Sequence, residues 1–206
     1  MTKIVSAKYK ISRRLGTSLW GNAKDPFHKK NYPPGQHGVT LAGQRRKTVH
    51  GTQLQAKQKL KGYYNMTEKQ FRKVYSEARR IKGNTSEILV GLLEKRLDAV
   101  VYRLNLAPTI FSARQLVNHK HVLINGKRVN IPSYLVKEGD VVELSKKAKD
   151  MVLCIESTQK MERSVPEYLT FDQKSMKGSF VRVPNLADIP YASVMEPHLI
   201  IEFYSK

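Results

Sequence analysis

The middle of the chain carries two successive helical patterns. Thr67 and Gln70 have the spacing of a capping box, in which an N-terminal hydroxyl and a Gln or Glu side chain satisfy each other's backbone N–H groups. Apolar residues then recur at helical spacing opposite a basic face, and the apolar stripe is Phe71, Val74, Tyr75, Ala78 and Ile81. Gly83 predicts the end of this helix. Asn84-Thr85 predicts the cap of a second helix, which ends at Pro108 and has an apolar face wide enough for a packed core.

The next stretch changes from a helical to a strand-like pattern. Ser112 and Gln115 have capping-box spacing and predict the beginning of a short helix. The apolar run Val122–Ile124 is then followed by Asn125-Gly126 and a basic run, and Asn-Gly between such runs is the strongest short signal of a hairpin. Arg114 is expected on the exposed helix face. The tight turn would bring Lys127 and Arg128 back alongside His119, Lys120 and His121, so that one small surface collects positive charge from two elements. An ordinary α+β fragment with a solvated basic face is the alternative for this stretch taken alone.

Further elements are predicted toward the end of the chain. Helical periodicity over residues 146–163 predicts four inward side chains, namely Met151, Val152, Ile155 and Met161. Strand-like runs follow at 168–172 and 178–183. The tail over 197–204 is apolar enough to be buried against the rest of the chain.

Together these elements predict an α+β protein. We expect a basic extended arm over residues 1–50, where periodicity is weak and turn-forming residues are frequent. A small helical domain is expected over 51–95, joined by the C-terminal segment 185–206. This domain would pack on an α+β domain over 96–184, made of short helices and a small antiparallel sheet, with the helix–hairpin unit at about 96–158.

Positive charge is concentrated in the first part of the chain. The 206 residues include 37 Lys and Arg against 17 Asp and Glu, which gives a formal net charge of +20. Before Gly83 there are 20 Lys and Arg but only three acids, and such one-sided charge indicates a nucleic-acid partner. An anionic membrane is a poorer match, because the helix predicted over 53–61 is polar nearly all round and no apolar run approaches the roughly 18 residues of a membrane span. The predicted nucleic-acid contacts are Arg13, Arg14, Arg45, Arg46, Lys47, Lys57, Lys59, Lys61, Arg72, Lys73, Arg79, Arg80, Arg114, His119, Lys120, Lys127 and Arg128.

The sequence offers little for catalysis or metal binding. A single cysteine, Cys154, leaves no disulfide and no cysteine-cluster metal site within the chain, and we expect it in a helical core or boundary position. The six histidines lack the helical His-x-x-x-His spacing of zinc enzymes, and there is no glycine-rich phosphate loop or nucleophile elbow. We therefore expect no enzyme activity, no cofactor, no metal and no small-molecule substrate.

Several segments resemble one family in the same order along the chain. Residues 112–131, Ser-Ala-Arg-Gln-Leu-Val continuing into the Asn-Gly hairpin, resemble the RNA-binding module named after ribosomal protein S-four, which pseudouridine synthases and a tRNA synthetase share. The further segments are more specific: Pro34–Gly38, Phe71–Asn84 with Leu92–Asp98, and His198–Lys206. Over nearly the whole chain they resemble the bacterial-type S-four family of small-subunit ribosomal proteins.

The resemblance implies a function and a set of partners. It implies a structural constituent of the small ribosomal subunit that is a primary binder of small-subunit (16S-type) ribosomal RNA and nucleates assembly of the subunit body. It also implies contacts with neighbouring ribosomal proteins, especially S-five at an interface that affects translational accuracy, and with messenger RNA near the channel through which it enters. A free-standing RNA-binding regulator built on the same module is the alternative.

The family pattern also sets expectations for zinc and location. Where some members bind zinc through an N-terminal cysteine cluster, this chain has Asp25–Lys30 without cysteine, so we expect the zinc-free form. The stretch 146–178 matches the family only loosely. The N-terminus shows no secretory apolar segment. The expected location is therefore the cytoplasm, in the small ribosomal subunit, with an organellar ribosome as the alternative.

Overall fold

The computed structural model describes residue 7 and residues 9–40 and 48–205. They form two compact units, one containing the residues up to Ser86 and from Tyr191 on, and the other spanning Glu87–Pro190. The helices are α1 (Lys10–Leu15), α2 (Val49–Tyr63), α3 (Glu68–Arg80), α4 (Thr85–Glu94), α5 (Leu97–Arg103), α6 (Ile110–Asn118), α7 (Lys146–Lys149), α8 (Val152–Lys160) and α9 (Pro197–Ser205). The strands are β1 (Val122–Ile124), β2 (Lys127–Val129), β3 (Val141–Leu144), β4 (Leu169–Asp172) and β5 (Lys177–Phe180). Helices together with an antiparallel sheet confirm the predicted α+β class.

In the first unit, α2, α3 and α9 pack around an apolar core. The capping box at the beginning of α3 is confirmed: the Gln70 N–H donates to Thr67 Oγ1 at 3.3 Å, and the Thr67 N–H donates to Gln70 Oε1 at 3.4 Å. Ile81 is exposed rather than buried, because α3 ends at Arg80 and Ile81 is already extended. The buried side chains of this core include Leu60, Tyr63, Phe71, Tyr75, Ala78 and Ile200.

Trp20 anchors the N-terminal segment to the first unit. Its ring is buried, and its indole N–H donates to the carbonyl of Tyr63 in α2 at 3.2 Å. Leu15 at the end of α1 and Leu19 are buried as well. The described part of the predicted extended arm is therefore partly helical and attached to α2, because its few large apolar side chains are removed from water there.

One carboxylate at the beginning of α3 connects three helices. Glu68 Oε1 accepts from Lys57 Nζ at 2.9 Å and from the Tyr204 hydroxyl at 2.8 Å, while Oε2 accepts from Lys61 Nζ at 3.0 Å. Burial acts to raise the pKa of Glu68, but the hydrogen bonds outweigh it and lower the pKa from 4.5 to about 2. The Lys57 ammonium also lies 4.3 Å from the centroid of the Phe203 ring. We call Lys57, Lys61, Glu68 and Tyr204 the Glu68 cluster.

In the second unit, a five-stranded antiparallel sheet has the strand order β2-β1-β3-β5-β4. Its first two strands form the predicted hairpin, with Val122 opposite Val129. Asn125 and Gly126 occupy the turn with φ angles of 49° and 78°, and a two-residue hairpin turn of type I′ requires such positive values. The Asn125 side chain also accepts from the Val141 N–H at 2.9 Å, which ties the turn to β3.

The second helical pattern is interrupted, which corrects the prediction of one continuous helix. Between α4 and α5, Arg96 is extended, with φ −67° and ψ 137°, and forms an isolated antiparallel bridge with Leu135. The Leu97 N–H donates to the carbonyl of Tyr134 at 2.9 Å, so a distant segment supplies the partners of the broken turn. The apolar periodicity runs unchanged through the break and therefore gives no sign of it.

Two other helix predictions need correction. The capping box of α6 is formed by Thr109 and Ser112, with the Ser112 N–H donating to Thr109 Oγ1 at 3.1 Å, so the helix begins three residues before the predicted position. The helix predicted over 146–163 is divided into α7 and α8, because Met151 has an extended backbone with ψ 128° that shifts the helical phase. As a result Val152 is 69% exposed, and the buried residues of these two helices are Ala148, Cys154, Ser157 and Thr158.

The compact units divide the chain at different points from the predicted domains. The division falls between Ser86 and Glu87, so most of α4 lies with the sheet, and again between Pro190 and Tyr191. The predicted boundaries were at residues 95 and 184. The assignment of RNA binding to a separate module within the second unit remains a prediction.

The second unit encloses a bidentate ion pair. Arg103 donates to Glu94 through Nε at 3.1 Å and through Nη2 at 2.7 Å, and the Tyr168 hydroxyl donates to the same carboxylate at 3.0 Å. The side chain of Arg103 is 3% exposed and that of Glu94 is fully buried. Because both charges are removed from water, each depends on the other for compensation.

We expect Glu94→Gln to lower the free energy of unfolding by roughly 3 to 5 kcal/mol, because it leaves the buried Arg103 guanidinium without its counter-charge. Denaturant unfolding followed by circular dichroism measures the change. The matched control is Glu156→Gln, which removes an exposed pair with Lys160 at 3.4 Å and should change stability by less than about 1 kcal/mol. Equal effects of the two substitutions would contradict the assignment of a structural role to the buried pair.

The Glu68 cluster predicts a pH-dependent contribution to stability. Since folding lowers the pKa of Glu68 from 4.5 to about 2, its contribution is present above pH 4.5 and is lost as the pH falls through the folded value. Glu68→Gln should therefore lower the melting temperature at neutral pH, and the difference from the unmodified protein should shrink as the pH falls from 4.5 toward 2. Thermal melts across this range test it, with Glu77→Gln as the control, because Glu77 pairs only at the exposed surface with Arg80. A difference that stays constant with pH would rule out this linkage.

Candidate nucleic-acid interface

Helix α3 presents an exposed basic face, which we call the α3 face. It consists of four of the predicted contacts, Arg72, Lys73, Arg79 and Arg80, and every one of them is exposed. Arg80 donates to Glu77 at 2.7 Å across one turn of the helix, and both side chains remain largely solvated. The opposite side of α3 packs in the core through Phe71, Tyr75 and Ala78, so burial fixes the direction in which the cations point.

In the N-terminal segment, Arg13 holds a loop in place. Its Nε donates to the carbonyl of Tyr32 at 3.2 Å and its Nη2 to the carbonyl of Pro33 at 3.3 Å. The guanidinium also lies 4.8 Å from the centroid of the Tyr32 ring. Arg14 is exposed beside it and has the accessibility that a phosphate contact needs. The other predicted contacts of this segment, Arg45, Arg46 and Lys47, lie outside the described residues.

The lysines of α2 differ from the prediction. The Lys57 side chain is only 7% exposed and its ammonium is engaged by Glu68, so its prediction as a nucleic-acid contact is corrected. Lys61 is 18% exposed and bound to the same carboxylate. Lys59 donates to the carbonyl of Val194 at 3.2 Å and keeps part of its side chain in solvent. Although the sequence of α2 is polar nearly all round, Lys57 points inward, because the Glu68 carboxylate and the Phe203 ring contact its ammonium group there.

A second exposed basic surface lies where α6 runs into the hairpin, and we call it the helix–hairpin surface. His119 and Lys120 follow the end of α6, and Lys127 and Arg128 lie on the edge strand β2; all four are exposed. Lys120 has a φ of 61°, the left-handed conformation that turns the chain from the helix into β1. Among these four residues, His119 and Arg128 lie close enough to His121 for both to act on its imidazole.

His121 shows how closely these charges approach each other. Partial burial, followed by the charges of His119, Lys147 and Arg128, lowers the pKa of His121 from its ordinary value of 6.5. Basic residues from the end of α6, from β2 and from α7 therefore act on one imidazole. The sequence prediction placed His121 on this surface but not Lys147, although the Lys146-Lys147 pair directly after β3 was a signal for Lys147.

Arg114 lies in a less accessible position than predicted. Its side chain is 17% exposed, and its Nη1 is 3.5 Å from Asp98 Oδ2. Asp98 is fully buried and accepts from Arg96 at 3.0 and 2.7 Å, so one carboxylate serves two guanidinium groups. Burial lowers the pKa of Arg114; Asp98 acts to raise it, and the positive charge of Arg96 acts to lower it. The expectation of a freely exposed Arg114 is therefore corrected.

A surface pocket of about 240 Å³ opens beside the helix–hairpin surface, lined by Ser112, Gln115, Leu116, His119, His121, Met151 and Leu153. Burial raises the pKa of the Cys154 thiol from 9.0 to about 11, which makes it a poor nucleophile. Among the described residues, no group of three or more His, Cys, Asp or Glu side chains is placed to hold a metal ion. In the same part of the chain, no helix is long and apolar enough to cross a membrane. The arrangement can neutralise phosphates at several exposed cations.

Comparison with known proteins identifies the family. The model of the ribosomal protein S4/S9 N-terminal domain matches residues 3–94, and the model of the S4 domain matches residues 95–142. The small ribosomal subunit protein uS4 of Paramagnetospirillum magneticum is 62% identical over 210 residues, and that of Ruegeria sp. is 59% identical over 207 residues. The protein of the same name from Granulibacter bethesdensis is 60% identical over 207 residues, and each alignment covers the whole of both chains. The resemblance found in the sequence is confirmed, and the chain belongs to the uS4 family of small ribosomal subunit proteins.

Proposed function

We propose that this protein is a structural constituent of the small ribosomal subunit and binds its RNA, of the 16S type, through two exposed basic surfaces. The observation that carries the proposal is the pairing of full-length membership in the uS4 family with basic side chains that remain exposed on both compact units. One group lies on the α3 face and the other on the helix–hairpin surface. The relatives are named as proteins of the small ribosomal subunit, which supports the same location for this chain.

Most of the binding free energy is expected from contacts with phosphates. Exposed Lys and Arg side chains neutralise phosphates and release the counterions condensed on the nucleic acid. Such contacts carry little information about sequence, so selectivity would come from the shape of the folded RNA that reaches both surfaces. The excess of 37 basic over 17 acidic residues supports a binding free energy that comes mainly from phosphate contacts. No catalytic step is part of the proposal.

Finer roles follow from the family resemblance alone. We propose that the protein is a primary binder that nucleates assembly of the subunit body, contacts ribosomal protein S-five at an interface affecting translational accuracy, and lies near the channel where messenger RNA enters. The cytoplasmic location belongs to the same proposal. What supports these roles is the family membership and the presence of all the segments that carry the resemblance.

The direct test is binding of the purified protein, without other proteins, to small-subunit ribosomal RNA at physiological salt. The competitor is an unrelated structured RNA of equal length. Tight and selective binding is the expected result and supports a primary assembly role. Equal affinity for the two RNAs would contradict it and would favour a free-standing RNA-binding regulator.

Affinity should depend steeply on salt. If about six to ten phosphates are neutralised, binding weakens by roughly three to five orders of magnitude between 50 and 200 mM salt, a scale taken from duplex DNA. Filter binding or fluorescence anisotropy at several salt concentrations gives the slope. A slope near zero would show that phosphate contacts do not dominate.

Reversing three charges on the α3 face should flatten that slope. Each lost phosphate contact lowers the slope of log affinity against log salt by about 0.9 on the duplex scale, so Arg72→Glu, Lys73→Glu and Arg79→Glu together should lower it by about 2 to 3. The control carries the same change in net charge at Lys160, Lys174 and Lys177, exposed residues that belong to neither of the two named surfaces. Equal losses in the two triple variants would mean that net charge alone governs binding.

A further inference from the structure

Helix α8 in the second unit exposes two neighbouring apolar side chains. Val152 is 69% exposed and Leu153 is 42% exposed. Both follow Met151, whose extended backbone shifts the helical phase so that Cys154 takes a buried position instead. Single exposed apolar side chains are ordinary on protein surfaces, whereas apolar residues grouped beside a depression mark a site of interaction.

Two depressions in the surface share Leu153 as part of their walls. The first is the pocket of about 240 Å³ described above, to which Met151 and Leu116 contribute apolar surface. The second has a volume of about 350 Å³, and Pro108 and Val152 contribute apolar surface to it. Because Leu153 borders both, they form one continuous depression along α8, which we call the α8 groove.

The hydroxyl groups in the walls of the α8 groove are engaged within the protein. Ser112 Oγ donates to the carbonyl of Thr109 at 2.8 Å, and Ser157 Oγ donates to the carbonyl of Asn105 at 2.7 Å. Neither hydroxyl proton is therefore available to a ligand. Burial of apolar groups is the main source of binding free energy that the α8 groove offers.

The rim of the larger depression carries an excess of negative charge. Its exposed charged side chains are Glu156, Lys160 and Glu162. Lys160 pairs with Glu156 at 3.4 Å, and among the described residues no basic side chain pairs with Glu162. Arg163 also lines the depression, but its guanidinium donates to three backbone carbonyls of the second unit and faces them rather than the rim.

Such a rim is a poor match for RNA and a good match for a protein. The carboxylates of Glu156 and Glu162 repel phosphates, whereas the α3 face and the helix–hairpin surface present exposed cations to them. An apolar groove beside carboxylates is complementary to a polypeptide segment that has apolar residues for the groove and Lys or Arg for the rim. Charge complementarity therefore selects a basic protein segment as the occupant.

We propose that the α8 groove binds a segment of a neighbouring protein, which inserts apolar side chains beside Leu153 and places Lys or Arg side chains opposite Glu156 and Glu162. The inference rests on the proposed function in one respect, since it places this partner within the small ribosomal subunit. The partner would lie next to bound RNA, because the smaller depression opens beside the helix–hairpin surface.

The experiment places a photoreactive benzophenone side chain at Val152 of the full-length protein and uses purified small subunits that contain it. Val152 is suited to this because its side chain is exposed and lines the α8 groove. After irradiation, mass spectrometry identifies the cross-linked molecule. We expect a segment of another protein in which apolar residues are flanked by Lys or Arg. The same probe at Arg79 on the α3 face is the control and should cross-link to RNA.

Substitutions then test the two parts of the recognition separately. The cross-linked segment, made as a synthetic peptide, is titrated against the purified full-length protein. Leu153→Asp should weaken binding about tenfold or more because it removes apolar contact, and Glu162→Lys should weaken it about fivefold because it reverses a rim charge. The matched control is Glu167→Lys, which makes the same charge change on a side chain that is 94% exposed and does not line the groove. It should leave the affinity unchanged.

The outcomes distinguish this inference from the proposed function. A cross-link from Val152 to RNA or to a second copy of this chain overturns the inference, as does the absence of any cross-link. Equal effects of Glu162→Lys and Glu167→Lys overturn it as well, because the rim charge would then have no part in recognition. All these results leave the proposed function standing, whereas failure of the unmodified protein to enter small subunits overturns the proposed function itself.

Discussion

Carboxylates are the scarcer charged side chains of this protein, and three of them decide where its interior cations lie. Glu68 receives Lys57 and Lys61 in the first unit. In the second unit Asp98 receives Arg96 and Arg114, and Glu94 receives Arg103. An unpaired cation in any of these positions would be expelled or neutralised at a cost of several kcal/mol. The helices that meet at these acids could not bury their apolar faces with the cations left uncompensated.

The same arrangement leaves a distinct set of cations for external partners. The α3 face and the helix–hairpin surface consist of side chains that no buried carboxylate holds, and one surface belongs to each compact unit. When one RNA engages two linked surfaces, the second contact forms at a high effective concentration, so modest individual affinities combine. Exposed cations are thus present on both compact units, while the buried cations Lys57, Arg96 and Arg103 are paired with carboxylates.

Features set by neighbouring residues were predictable from the sequence. The capping box at Thr67 and the turn at Asn125-Gly126 depend on contacts within a few residues, and both occur where the pattern placed them. The break before α5 depends on pairing between Arg96 and Leu135, which no local pattern records. The beginning of α6 was predicted three residues too late, because Ser112 can be either the N-cap residue of a capping box or its third helical residue. In the structure Ser112 is the third helical residue and Thr109 is the N-cap.

The residues of the candidate interface also divide into those that local sequence patterns predict and those that depend on the fold. The exposed residues of α3 followed from helical periodicity, and the hairpin residues followed from the turn signal. Lys57 and Arg114 were predicted as exposed contacts, but each is paired with a carboxylate. Their partners Glu68 and Asp98 are distant in the sequence, and only the fold brings them close. Lys147 joins the helix–hairpin surface for the converse reason, since α7 follows directly on β3 and carries it there.

The packing of α9 against α2 has a consequence for synthesis on the ribosome. Gln53 in α2 donates to Glu202 in α9 at 2.9 Å, across 149 positions of the chain, and Tyr204 reaches Glu68 at 2.8 Å. The whole of Glu87–Pro190 is translated between these partners, so the second unit has all its residues before the first can close. During elongation the basic helices α2 and α3 therefore emerge early, whereas α9, which packs against them, is synthesised last. In that interval the nascent chain exposes both the apolar side chains that α9 will cover and the most positively charged part of the protein.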